Sequence, residues 1–112
     1  MSFTNAFETT VLQFALTTTS VTRPTNWYIA LFTSDPTETG AAGTEVTGGS
    51  YARTAVTFSV SGNLGTNSAA VEFPACTADW GTITHLGVMD ASSSGNMLVH
   101  AALTTSKVIA VG

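Results

Sequence analysis

Trp27 to Phe32 is the longest unbroken apolar run in the chain. It is too short to cross a bilayer, and it is rich in aromatic and branched side chains. Such a run predicts a strand buried on both faces, over residues 27–33. Ser34-Asp35-Pro36 follows as a turn starter. A Gly-rich stretch then extends to Ser50 and carries Asp35, Glu38 and Glu45, three of the seven acidic residues. A loop of that length in a small chain predicts a functional or a mobile element. Tyr51 opens the next segment. One buried strand, one exposed acidic loop and one returning strand therefore set the frame.

The flanking segments read as follows. Residues 2–16 predict a helix, with Ser2 or Asn5 as cap and Asn5 with Glu8 at capping-box spacing. Phe3, Phe7, Val11 and Phe14 recur at helical spacing and form a stripe that predicts a helix covering the open side of a sheet. Docking on a neighbouring subunit is the other reading of the same stripe. Arg23-Pro24 stops the helix from continuing. Residues 51–60 alternate and predict a strand. Residues 61–67 predict a turn, and residues 69–73 a short strand ended by Pro74. Residues 82–90 and 97–103 predict two strands joined by the Ser92-Ser93-Ser94-Gly95-Asn96 turn. Thr104-Thr105-Ser106 predicts a further turn into a last strand, 107–111. The expectation is mainly β: a compact antiparallel β-sandwich or barrel-like domain with one N-terminal α-helix, in one domain over 1–112.

Composition narrows the function. The chain is 44% hydrophobic and only 9% charged, with a net charge of −4. Its three cations, Arg23, Arg53 and Lys107, are scattered. No basic stripe is present to neutralise phosphates, which argues against nucleic acid, and no polybasic patch argues for membranes. The N-terminus lacks the pattern of a signal peptide, so assembly in the cytoplasm is expected. Cys76 is the only cysteine, so no internal disulfide forms. A Ser/Thr-rich, charge-poor surface suits packing against copies of itself or a large partner, and oligomerisation is expected to supply burial that a chain this small lacks.

Few residues suggest chemistry. His85 and His100 lie on strands joined by a hairpin turn and are placed to face each other, but no third ligand accompanies them at metal spacing. Cys76 sits among small apolar neighbours, which predicts a buried, inert thiol. Neither set carries an oxyanion hole or a cleft signal, so an enzyme is not expected. Asp35, Glu38 and Glu45 do not have calcium-loop spacing. Gly48-Gly49 is followed by a strand and not by the helix a phosphate site needs. Trp27, Tyr28, Tyr51 and Trp80 are either a sugar-stacking platform or core and interface aromatics, with the second reading favoured. Arg53 is placed for an ion pair with Glu38 or Glu45. The expected contact residues are thus Asp35, Glu38, Glu45, Tyr51, Arg53, Trp27 and Trp80.

Three motifs carry a resemblance. They are Ser-Phe-Thr-Asn-Ala-Phe-Glu at the start, Ala-Leu-Phe-Thr-Ser-Asp-Pro-Thr-Glu-Thr-Gly at 30–40, and Glu-Val-Thr-Gly-Gly-Ser-Tyr-Ala-Arg at 45–53. With Glu-Phe-Pro-Ala-Cys-Thr-Ala-Asp-Trp-Gly at 72–81 and the Thr-Ile-Thr-His-Leu-Gly-Val-Met-Asp that follows, the chain resembles small tailed-bacteriophage virion structural proteins, commonly labelled phage tail fibre proteins. The resemblance implies a virion protein with no catalytic residue and no cofactor. Its partners would be other phage virion proteins, further copies of itself, and a host-surface receptor or glycan. A tail or tail-fibre role leads, and a capsid decoration (cement) protein is the alternative. The resemblance also implies a further strand beyond Gly112, which a neighbouring subunit could supply.

Overall fold

The computed structural model describes residues 2–111. In chain order the elements are β1 (Ser2–Phe3), α1 (Asn5–Leu16), β2 (Trp27–Phe32), β3 (Thr54–Val56), β4 (Phe58–Ser61), β5 (Leu64–Asn67), β6 (Gly81–Met89) and β7 (Met97–Ile109). The protein is mainly β, with antiparallel pairing throughout and one N-terminal helix. Five strands form one sheet in the order β1-β7-β6-β2-β3, and β4 and β5 form a separate hairpin. Among the described residues, no helix is long and apolar enough to cross a membrane.

The apolar run at 27–32 becomes β2 and lies inside the sheet, with β6 on one side and β3 on the other. Successive side chains alternate between faces, so the strand feeds two clusters. Ala30 and Phe32 pack with Met89, Met97 and Tyr28. On the opposite face, Leu31 packs against Val46, Trp80 and Ile83, joined by Tyr51, Phe73, Cys76, Leu103 and Ile109. Cys76 is half-buried against this second cluster. Strict alternation would put Ile83 on the His85 side, and a register shift between Ile83 and His85 marks where that alternation ends.

Several boundaries differ from the sequence expectation, each for a physical reason. The helix begins at Asn5 and not at residue 2, because Ser2 and Phe3 pair with His100 and Val99 of β7. Its cap is Thr4, not Ser2 or Asn5. Thr4 is buried, and its hydroxyl donates to the Met97 carbonyl at 2.6 Å while accepting from the Phe7 amide at 3.4 Å. One side chain thus starts the helix and fastens it to β7. The Phe stripe does not cover the sheet: no residue of α1 is buried, and Phe14 is 74% exposed.

The strand expected over 51–60 is divided at Thr57. The Thr57 carbonyl accepts from Ser68 N at 2.9 Å and its hydroxyl lies 2.6 Å from Ser68 Oγ, which ties it to the foot of the hairpin. The expected 61–67 turn contracts to Gly62-Asn63, with Gly62 at φ 59°, and Leu64–Asn67 is strand. Residues 69–73 are not a strand. Phe73 is held instead by side-chain packing, stacked on Tyr51 with ring centroids 6.2 Å apart. The second expected turn, 104–106, is a bulge within the long β7: Ile83 pairs with Lys107 and His85 with Ala102, so Leu103 to Ser106 oppose Thr84 alone. The Ser92–Asn96 turn forms as expected, closed by Asn96 N donating to Asp90 Oδ1 at 2.7 Å.

Replacing Thr4 with Val keeps the shape but leaves the Met97 carbonyl without its partner and the helix without its cap. Thr4→Val is expected to lower stability by about 2–3 kcal/mol, read as a fall in the denaturant midpoint with unchanged slope.

Candidate functional site

The acidic loop is built on the exposed side of β2. β3 covers only Trp27, Tyr28 and Ile29. Beyond Ile29 the loop itself completes the edge. Thr33 N donates to Thr44 O, Val46 N donates to Leu31 O, and Phe32 bridges Glu45. The Leu31 amide finds a side chain: it donates to the Tyr51 hydroxyl at 3.0 Å. The unpaired edge of a core strand is thereby satisfied by a loop, as buried backbone groups require.

The first half of the loop folds back over the Ala30–Phe32 face. Asp35 Oδ1 accepts from Thr37 N at 2.8 Å, and Pro36 is buried. Gly40 has φ +68°, and a Cβ there would sit 3.0 Å from Met97 Cβ, so only glycine allows this approach. Glu38 lies 3.1 Å from His100 Nε2, and Asp35 3.9 Å from His85 Nε2. The expectation that the two histidines face each other is therefore corrected. Their strands are offset, with His85 opposite Ala102 and His100 opposite Gly87, and both rings turn to loop carboxylates. Among the described residues, no three His, Cys, Asp or Glu side chains converge on a metal position.

The second half is fixed by Arg53, Glu45 and Tyr51. Arg53 Nε and Nη2 donate to the two Glu45 oxygens at 2.9 and 2.8 Å, a bidentate fork. The Tyr51 hydroxyl donates to Glu45 Oε2 at 2.7 Å. Arg53 Nη1 donates to the carbonyls of Ala91 and Ser94, at 3.0 and 2.8 Å. One guanidinium therefore joins the acidic loop to the 92–96 turn, where Ser94 holds a left-handed φ of 53°. Of the two partners expected for Arg53, Glu45 is the one bonded, and Glu38 goes to His100.

The electrostatics follow from this geometry. Burial acts to raise the Glu45 carboxyl, but the Arg53 and Tyr51 hydrogen bonds and the guanidinium charge outweigh it and hold the group below its ordinary 4.5. Burial, reinforced by the bond to Glu45, pushes the Tyr51 phenol well above its ordinary 10.0. The bonds to Glu45 hold Arg53 charged more firmly still. Beside the network lies an open cleft of about 420 Å³, lined in part by Glu45, Tyr51, Arg53 and Ser92 to Ser94.

Asp35, Glu38, Glu45, Tyr51 and Arg53 thus meet in or under one ordered loop. The two tryptophans are elsewhere. Trp80 is core: its Nε1 donates to Gly49 O at 2.9 Å, with Tyr51 edge-on at 5.4 Å. It fixes the far end of the loop from below. Trp27 is half-buried at the start of β2, edge-on to Phe58 of the hairpin at 6.4 Å. Sequence reasoning missed Thr4 and the carbonyls of Ala91 and Ser94, since backbone acceptors leave no residue-type signal.

The chain belongs to a phage fibre family: the model of the Podophage GP4 fiber I protein gp80 family matches it over residues 2–112. The family places it among virion components. Comparison with curated proteins gives no match.

The charges give opposite pH limbs. Glu45 has a depressed folded value, so its contribution to stability is full above about pH 4.5 and is lost as pH falls through the folded value. The Tyr51 phenol has a raised folded value, so its contribution is full below about pH 10 and declines as pH rises further. Urea titrations at several pH values are expected to show both limbs. Glu45→Gln flattens the acid limb, and Tyr51→Phe flattens the alkaline limb. Arg53→Met leaves a half-buried carboxylate without its fork and is expected to cost about 2–3 kcal/mol at neutral pH, between the values for exposed and buried pairs.

Proposed function

We propose that this protein is a non-enzymatic structural component of a phage tail or tail fibre, acting through oligomerisation and surface contacts made by the 34–50 loop. The family match over residues 2–112 carries the reading, because it describes a fibre protein. That description supports the fibre role over capsid decoration. The loop geometry supports a contact role: Asp35 and Glu38 remain about half exposed, while the Asp35 carboxylate accepts from Thr37 N and the Glu38 carbonyl accepts from Asn5 N. A pre-ordered loop binds without the entropic cost of ordering. The groups with chemical potential hold structure. His85 and His100 pair with loop carboxylates, and Cys76 packs against the cluster of Val46, Trp80 and Ile83. The partners are other virion proteins, with a host receptor or glycan as the target of the loop. The chain forms one domain over 1–112, and assembly takes place in the host cytoplasm.

The reading is tested on purified virions. Gold-labelled antibody is expected at the tail, with a copy number far below that of the head-shell protein. Labelling over the head at a copy number comparable to the shell protein overturns it in favour of cement. A second test addresses the loop: Asp35→Asn with Glu38→Gln is expected to leave the fold unchanged and to reduce phage adsorption or tail incorporation by about tenfold or more, the loss of roughly 1.4 kcal/mol or more. Unchanged adsorption and incorporation would remove the loop from the mechanism.

A further inference from the structure

The molecule is too open for a chain that works alone. Its accessible surface is 7062 Å², whereas a folded monomer of 11.5 kDa exposes about 5,800 Å². The excess is about 1,250 Å², more than the roughly 800 Å² per partner of a standard interface. The radius of gyration agrees: 14.9 Å against about 13.2 Å for a compact domain of this length.

Among the described residues, seven of the ten exposed large apolar side chains lie on α1 and the β4–β5 hairpin. Pairing of Trp27 with Val56, Tyr28 with Met89, and Met89 with Met97 puts these residues at one end of the five-stranded sheet. Two elements project from that end. α1 leaves it through Thr4, fastened to Met97 and Leu98, and β4–β5 leaves it immediately after Val56. Both are apolar and uncovered: Leu12, Phe14 and Leu16 are 57%, 74% and 75% exposed, and Phe58, Val60 and Leu64 are 41%, 77% and 61% exposed. A 12-residue helix is marginal in water unless an apolar face is packed, and a lone two-stranded hairpin is marginal too. Each needs cover from outside the chain.

Charge identifies the cover. Residues 9–22 and 54–71 contain no Asp, Glu, Lys, Arg or His. A chain of net charge −4 repels its own copies, and only a charge-free surface lets two of them meet without opposing like charges. We infer that this end of the molecule, α1 together with the β4–β5 hairpin, is the interface through which the protein binds further copies of itself. The inference rests on the assembly reading above and names its surface.

Sedimentation equilibrium and light scattering test it on the full chain. The wild type is expected at a multiple of 11.5 kDa. Phe14→Ser with Leu16→Ser changes exposed side chains at little cost to helix propensity, and Val60→Thr with Leu64→Thr keeps strand propensity. Each pair is expected to weaken association at least about a hundredfold, to monomer at micromolar concentration, by loss of roughly 3 kcal/mol of apolar burial. Circular dichroism and the denaturant midpoint of the monomer confirm that the five-stranded sheet remains, whether or not α1 and the hairpin stay ordered once uncovered. Val108→Thr, exposed on the last part of β7, is expected to keep the wild-type mass. A wild type that is monomeric across the micromolar range overturns the inference. So does an oligomer that either double variant leaves intact; in that case association, and with it the fibre reading, stands through another surface.

Discussion

The Arg53 guanidinium is the interaction on which the rest of the surface depends. It spends two N–H groups on Glu45 and one nitrogen on the carbonyls of Ala91 and Ser94. The acidic loop and the β6–β7 turn come from opposite halves of the chain, and this side chain holds both. The consequence reaches the core. Glu45 is the residue that bridges Phe32, and Tyr51, held by Glu45, receives the amide of Leu31. The ion pair therefore sets how the edge of the central strand is closed. A lysine could not replace it, because a single ammonium cannot form the fork and reach the turn carbonyls together. The loop is in effect a replacement for a longer edge strand, and such an edge, covered by a loop, does not invite pairing with other chains.

This division of labour explains which parts of the structure the sequence revealed. β2, β6, the first part of β7 and the 92–96 turn were legible because burial and alternation are local patterns. An ion pair of Arg53 with Glu38 or Glu45 was legible because an isolated cation beside an acidic loop has few partners. The helix start was not, since Thr4 is chosen by the Met97 carbonyl, 93 residues away. The Phe3, Phe7, Val11, Phe14 stripe misled because spacing reports a shared face and not what covers it; Phe3 is in a strand and packs on Phe7 at 4.9 Å, while Phe14 faces outward. Thr104-Thr105-Ser106 has turn composition but no reversal, because a bulge absorbs extra residues within one strand. In the candidate site, residue types were legible and pairing was not: Glu38 and Glu45 look alike in sequence, and only the fold-back of the loop over Met97 gives one to His100 and the other to Arg53.

Charge is distributed with the same economy. Three of seven acids sit in the loop, and each of them has a basic side chain beneath it: Arg53 under Glu45, His100 near Glu38, His85 near Asp35. Such pairs add little to stability when exposed. Their effect is positional, since each draws a different part of the loop to the sheet. The projecting helix and hairpin carry no charge to be paired, and they are where apolar side chains remain in water. The two surfaces therefore suit opposite kinds of contact. An ordered acidic loop presents charged groups whose contacts salt screens. An uncharged apolar end gains by area alone and has no charge for salt to screen. The two surfaces meet at the base of the helix, where Asn5 N donates to the Glu38 carbonyl at 2.8 Å, so the same loop that carries the acids also holds the start of α1.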